Sequence, residues 1–116
     1  MESITTTIIG TCIFRNEGNG CLTAKYMNES KEGPFVECCV GTDKSDPKNF
    51  VGNYKTTWIE DGNKCEHGVL IIEPHPLNSK NLFKLTWKVK DKDVFHGHGM
   101  LFQDFLATAY WGVQVN

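Results

Sequence analysis

The sequence predicts an all-β domain, and three observations carry that prediction. Val, Ile, Thr, Phe, Tyr and Trp supply about a third of the chain, whereas Ala occurs three times and Gln twice; residues that suit a half-buried pleat are abundant and helix formers are scarce. Turn signals built on Gly, Asn, Asp and Pro recur at short, even intervals. No stretch sustains a helical apolar period, while several alternate residue by residue. A length of 116 residues allows a single domain, 1–116, and leaves no room for a second core.

Eight strands follow in order. Ile4 to Phe14 is the first and ends at the Asn16-Glu17-Gly18-Asn19-Gly20 turn. Cys21 to Asn28 is the second, closed by the polar run from Glu29 to Pro34. Phe35 to Gly41 is the third. The polar segment Thr42 to Asn49 is the longest connection, with room for one short helical turn over Asp46 to Val51. Val51 to Glu60 and His67 to Glu73 are the fourth and fifth, joined through Asp61-Gly62-Asn63. Pro74 and Pro76 stop the fifth, because two prolines do not fit a paired ladder. Leu82 to Val89, Val94 to Phe102 and Phe105 to Val115 complete the set. Each connection suits neighbouring antiparallel strands, so an up-and-down meander is the simplest topology. Closing it into an eight-stranded antiparallel barrel leaves no edge exposed; a β-sandwich is the alternative.

The sixth strand alternates most cleanly, with Phe83, Leu85, Trp87 and Val89 on one face and Lys84, Thr86, Lys88 and Lys90 on the other. Ala107, Ala109, Trp111, Val113 and Val115 define an apolar face of the eighth, and Tyr54, Thr56 and Trp58 one of the fourth. Tyr54, Trp58, Phe83, Trp87 and Trp111, with Tyr26 as a further candidate, therefore either line a pocket or fill a core. Glu37, Glu60 and Glu73 are candidates for one buried carboxylate.

Phe50-Val51-Gly52-Asn53-Tyr54 followed by Trp58 resembles the Gly-x-aromatic opening of lipocalin, fatty-acid-binding and avidin-type barrels. Phe83 to Trp87, Phe95-His96-Gly97-His98-Gly99 and Leu106 to Tyr110 extend it. Over roughly its second half, the chain resembles a family of small bacterial avidin/lipocalin-like (calycin-type) β-barrels. That resemblance implies a meander barrel around a ligand cavity.

His96-Gly97-His98 is the most unusual motif. Residues i and i+2 share a strand face, so both imidazoles project together. A metal site would need more ligands. Asp104 lies at the following turn, no His lies downstream, and His67 and His75 sit at opposite ends of the fifth strand, so no metal, cofactor or catalytic residue is assigned. Two registers fit the seventh strand. Three-residue turns put Gly97 opposite Trp87 and Trp111, with His96 and His98 facing solvent; two-residue turns put His96 between the two indoles. The first lets Phe95 and Leu101 join the apolar face and is preferred; one residue of slip exchanges them.

A net charge of −2 and a single Arg, Arg15, remove the footprint of a nucleic-acid binder. No apolar window is long enough for a membrane helix. Met1-Glu2-Ser3 lacks a basic leader and three Thr interrupt Ile4 to Ile9, which points to a cytoplasmic protein. Five Cys, an odd number without a C-x-x-C pair, disfavour a disulfide framework. The leading expectation is a barrel that binds a small apolar or aromatic ligand through Tyr54, Trp58, Phe83, Trp87 and Trp111, oriented by His96 or a Tyr hydroxyl. The alternatives are an isomerase- or cyclase-type enzyme using His96 as acid or base, and a filled barrel acting as an interaction module. Outward Ile9, Ile13 and Leu106 suggest a homodimer.

Overall fold

A computed structural model describes residues 8–42, 50–60 and 64–113. The eight strands are β1 (Ile9–Gly18), β2 (Cys21–Asn28), β3 (Lys31–Gly41), β4 (Gly52–Glu60), β5 (Lys64–His75), β6 (Asn78–Val89), β7 (Lys92–Phe102) and β8 (Phe105–Gly112). Each pairs antiparallel with its sequence neighbours, and β1 also pairs with β8, so the sheet closes into an up-and-down barrel. Closure supplies a partner to every strand, so no bare edge remains to recruit another chain. No helix of the described residues is long and apolar enough to cross a membrane.

Several strands run further than the turn signals suggest, because the turns are tighter. Asn19 and Gly20 alone reverse the chain between β1 and β2, with φ of 56° and 76°. Two consecutive positive φ values match the twist of a hairpin, and Asn-Gly is the sequence that accepts them most readily. Asn16 and Glu17 therefore stay in β1, at a bulge where Gly18 N donates to Asn16 Oδ1 at 2.7 Å. Likewise Ser30 N donates to Asn28 Oδ1 at 3.0 Å, so β3 starts at Lys31 rather than Phe35. Pro74 does not stop β5. It stands opposite Phe83 beside a bulge, which is where a strand tolerates a residue without an N–H. Residues 4–7, 43–49 and 114–116, with most of the expected helical turn at Asp46 to Val51, lie outside the described residues.

The interior is filled at one end. Phe14, Leu22, Phe50, Tyr54, Leu70, Ile72, Phe83, Leu85 and Leu106 are all buried. Tyr54 Oη donates to the Phe50 carbonyl at 2.8 Å, so the phenol is satisfied inside the plug. Each such apolar side chain contributes about 1.5–3 kcal/mol by leaving water. This end carries the turns at Asn19-Gly20, Pro76-Leu77 and Gln103-Asp104.

The register of β7 corrects both sequence expectations. Gly97 stands opposite Leu85 and Tyr110, and His96 opposite Thr86 and Trp111. A two-residue turn at Gln103-Asp104 joins β7 to β8, as the second register required, but a bulge at Trp87/Lys88 shifts the other side. The outcome is mixed. Phe95 and Leu101 pack on the core and the histidines point out, as the first register had it, while Gly97 receives one indole instead of two. On β8 the inward face is Leu106, Thr108 and Tyr110, not Ala107, Ala109 and Trp111. The strand is apolar on both faces, so its alternation did not say which was buried. Pairing decides it, because Cys12 and Phe14 on β1 oppose Thr108 and Leu106.

Candidate functional site

At the opposite end, where β2 runs into β3, β4 into β5 and β6 into β7, the barrel is not filled. A cavity of about 50 Å³ remains there, enough for roughly four water molecules or one compact ligand. Trp58, Trp87, Phe95, Tyr26 and Tyr110 form its walls, and Cys12, Asn28, Glu37 and Glu60 supply its polar atoms. Trp87 and Tyr110 lie 5.8 Å apart by ring centroid, Phe95 and Tyr110 5.5 Å at 90°, and Tyr26 and Tyr110 6.4 Å. These are the tilted and edge-to-face separations that aromatic quadrupoles favour. A depression of about 520 Å³ at the other rim is lined partly by exposed Gln103, Asp104 and Phe105. Among the described residues lining it, none is a buried polar side chain.

Two glycines give the rings their places. A Cβ at Gly10 would collide with the Tyr110 ring and sit 2.5 Å from the Met27 carbonyl oxygen. One at Gly97 would lie 2.8 Å from the Ala109 oxygen and 3.2 Å from the Trp87 ring. Bare backbone on β1 and β7 is therefore what lets Tyr110 and Trp87 approach the wall so closely.

Glu37 is the central polar group. It projects inward from β3, opposite Trp58 and Ala24, and is 3% exposed. Three donors converge on one of its oxygens. Trp87 Nε1 donates to Oε2 at 2.9 Å, Cys39 Sγ at 3.7 Å, and Thr56 Oγ1 through a short bond. Oε1 has no partner among the described residues, and the side chain lines the cavity. Burial pushes the Glu37 pKa up, against the three hydrogen bonds, which lower it. With Oε2 saturated by donors, the proton of the neutral acid belongs on Oε1, facing the cavity.

The neighbouring titratable groups are held neutral for the same reason. Burial raises the Cys12 and Cys39 thiols, with the Glu37 charge adding to it. Tyr110 is pushed up to about 12, chiefly by burial, although Asn28 Nδ2 donates to its hydroxyl at 3.1 Å. Tyr26 rises further, by burial and by donating to Glu60 Oε2 at 2.6 Å. Among the described residues, no cationic side chain lines this cavity.

Of the residues selected from the sequence, Trp58 and Trp87 line the cavity. Tyr54 and Phe83 belong to the plug below it. His96 and Trp111 are on the outer surface. His96 Nε2 bonds Asp93 Oδ2 at 3.0 Å, and the Trp111 ring meets His98 edge-on at 5.1 Å. His98 also lies 4.7 Å from His75, but among the described residues no group of three His, Cys, Asp or Glu is placed to hold a metal ion. Cys12, Cys21, Cys38 and Cys39 are free thiols. Cys12, Asn28 and Tyr110 are not singled out by the sequence, which offers Glu37 and Glu60 only as candidates for a buried carboxylate. Inward parity on β3 would have found Glu37, had the strand been anchored by its buried neighbour Cys39. No protein-family model, curated protein or solved structure matches the chain, so what this cavity does is to be read from its own residues.

Proposed function

We propose that the protein is a small-molecule-binding barrel whose ligand occupies the cavity between Trp58, Trp87, Phe95 and Tyr110. The carrying observation is the open oxygen of Glu37: a buried carboxyl group with one oxygen fully bonded and the other turned to a cavity is a polar contact awaiting a partner. The calycin-type resemblance of the Gly52–Tyr54 and Phe83–Trp87 segments supports the same reading. The ligand is compact, because the plug closes the barrel below. His96 lies outside the cavity, which weighs against the enzyme alternative that relied on it.

The indole N–H signals in a proton–nitrogen NMR spectrum test this directly. Titration with a panel of compact neutral, anionic and cationic compounds shifts the Trp58 and Trp87 signals and leaves that of Trp111 in place. Shifts confined to Trp111, or none with any compound, would overturn the reading.

The same proposal includes a homodimer. Ile9 and Ile13 are 59% and 53% exposed, and Met100, Phe102 and Phe105 are exposed on the strands beside them. Ala107 and Ala109 between them keep this outer face of β1, β8 and β7 flat enough to meet a like face. Leu106, expected to join it, is fully buried. Sedimentation equilibrium at micromolar concentration gives a dimer that Ile13→Lys converts to monomer; a monomer at every concentration would refute it.

A further inference from the structure

The cavity walls are more specific than a generic apolar pocket. Five aromatic rings surround a space that two carboxyl side chains, Glu37 and Glu60, also line. Glu60 already accepts the Tyr26 hydroxyl. The Trp87 N–H is already spent on Glu37. An anionic ligand would meet the carboxyl group of Glu37, and among the described residues no cationic side chain lines the cavity to offset it. A neutral apolar ligand would leave Glu37 Oε1 as it is, without a partner. A positively charged ligand gains from both features, because ring faces attract cations and a desolvated carboxylate attracts them more strongly.

We propose that the ligand is a compact organic cation, an alkylammonium of a few carbon atoms, seated against Oε1 of Glu37 and held by the faces of Trp87, Trp58 and the neighbouring rings. This rests on the reading of the cavity as a ligand site and names its ligand class. Oε2 keeps its three donors when the cation binds, so the carboxylate is positioned before the ligand arrives.

Binding is coupled to a proton. In the empty cavity burial favours the neutral acid, with its proton on Oε1. Among the described residues the titratable groups facing it are Cys12 on β1, Tyr26 on β2, Cys39 on β3, Glu60 on β4 and Tyr110 on β8, and β6 and β7 contribute aromatic rings. None of these supplies positive charge. An ammonium entering beside Oε1 stabilises the carboxylate and expels that proton to solvent. Affinity therefore rises with pH until Glu37 is already ionised in the empty protein, and the number of protons released falls from one toward zero over the same range.

Calorimetric titration with methylammonium, trimethylammonium and tetramethylammonium chlorides tests the proposal, with tert-butanol as the neutral isostere. Repeating it in two buffers of different ionisation enthalpy counts the protons released by the unmodified protein. The expected result is at least about tenfold tighter binding of a methylated ammonium than of tert-butanol, with proton release at the acid end. Glu37→Gln, which keeps an oxygen for Trp87 and Thr56, reduces cation affinity about tenfold or more and leaves tert-butanol unaffected. If neutral compounds bind as well as cations, release no proton and ignore Glu37→Gln, the cation proposal falls and the ligand site stands. If no compound of any charge binds in the cavity, both fall.

Discussion

Glu37→Ala is expected to cost about 3 kcal/mol of folding stability, measured by urea or guanidinium unfolding. The loss does not come from the missing charge. It comes from Trp87 Nε1 and Thr56 Oγ1, which lose the acceptor they share and lie too deep for bulk water to replace it fully. Glu37→Gln is expected to be far milder and to change the pH profile. Because burial raises the Glu37 pKa in the folded protein, the folded state holds a proton that the unfolded chain releases. Stability from this group is present below the ordinary carboxyl range and is lost as pH rises through the folded value. The Gln variant lacks that decline, so its unfolding midpoint overtakes the parent's at the alkaline side of the window. Asp93 and Glu17, whose carboxyls are held low by hydrogen bonds at the surface, act with the opposite sign and only at more acid pH. A parent protein whose stability stays flat through the window would contradict the assignment.

The second large effect is expected at Gly10. Gly10→Ala places a methyl group against the Tyr110 ring and 2.5 Å from the Met27 backbone oxygen. The ring can turn away, but the carbonyl belongs to the neighbouring strand, so β1 and β2 must separate locally. About 2–3 kcal/mol is the cost of such overpacking. Tyr110 also leaves the cavity wall, so ligand affinity falls together with stability. Tyr110→Leu added to Gly10→Ala recovers only the share due to the ring, and that non-additivity is the diagnostic measurement. Full additivity would show that the two residues do not meet.

The strand content and the closed meander were legible because β-rich composition, evenly spaced turns and the alternation of Phe83, Leu85 and Trp87 all pointed the same way. Strand ends were less so, since a two-residue turn such as Asn19-Gly20 hides within a longer polar run. The site was only partly legible. Trp58 and Trp87 were selected on parity, and parity is reliable where one face is apolar and the other charged. On β8 both faces are apolar, and the choice between Tyr110 and Trp111 depended on pairing with β1, which a single strand does not report. The bulge at Trp87/Lys88 then displaced the register that would have set His96 against Trp87. Glu37 was hidden for another reason. A carboxylate in a strand reads as a solvent-facing residue, and only the convergence of Thr56, Trp87 and Cys39 from β4, β6 and β3 makes it an interior one.

The filled lower half of the barrel has a consequence for how this protein can change. The plug around Phe14, Leu85 and Leu106 bears the stability, and the walls at the mouth bear the recognition, along the same eight strands. Energetic effects at well-separated positions add with little cross-talk. Each strand thus carries an anchor and a variable segment in series. New ligand preferences are reachable by exchanging side chains near one end of the tube, with the fold insured by the other.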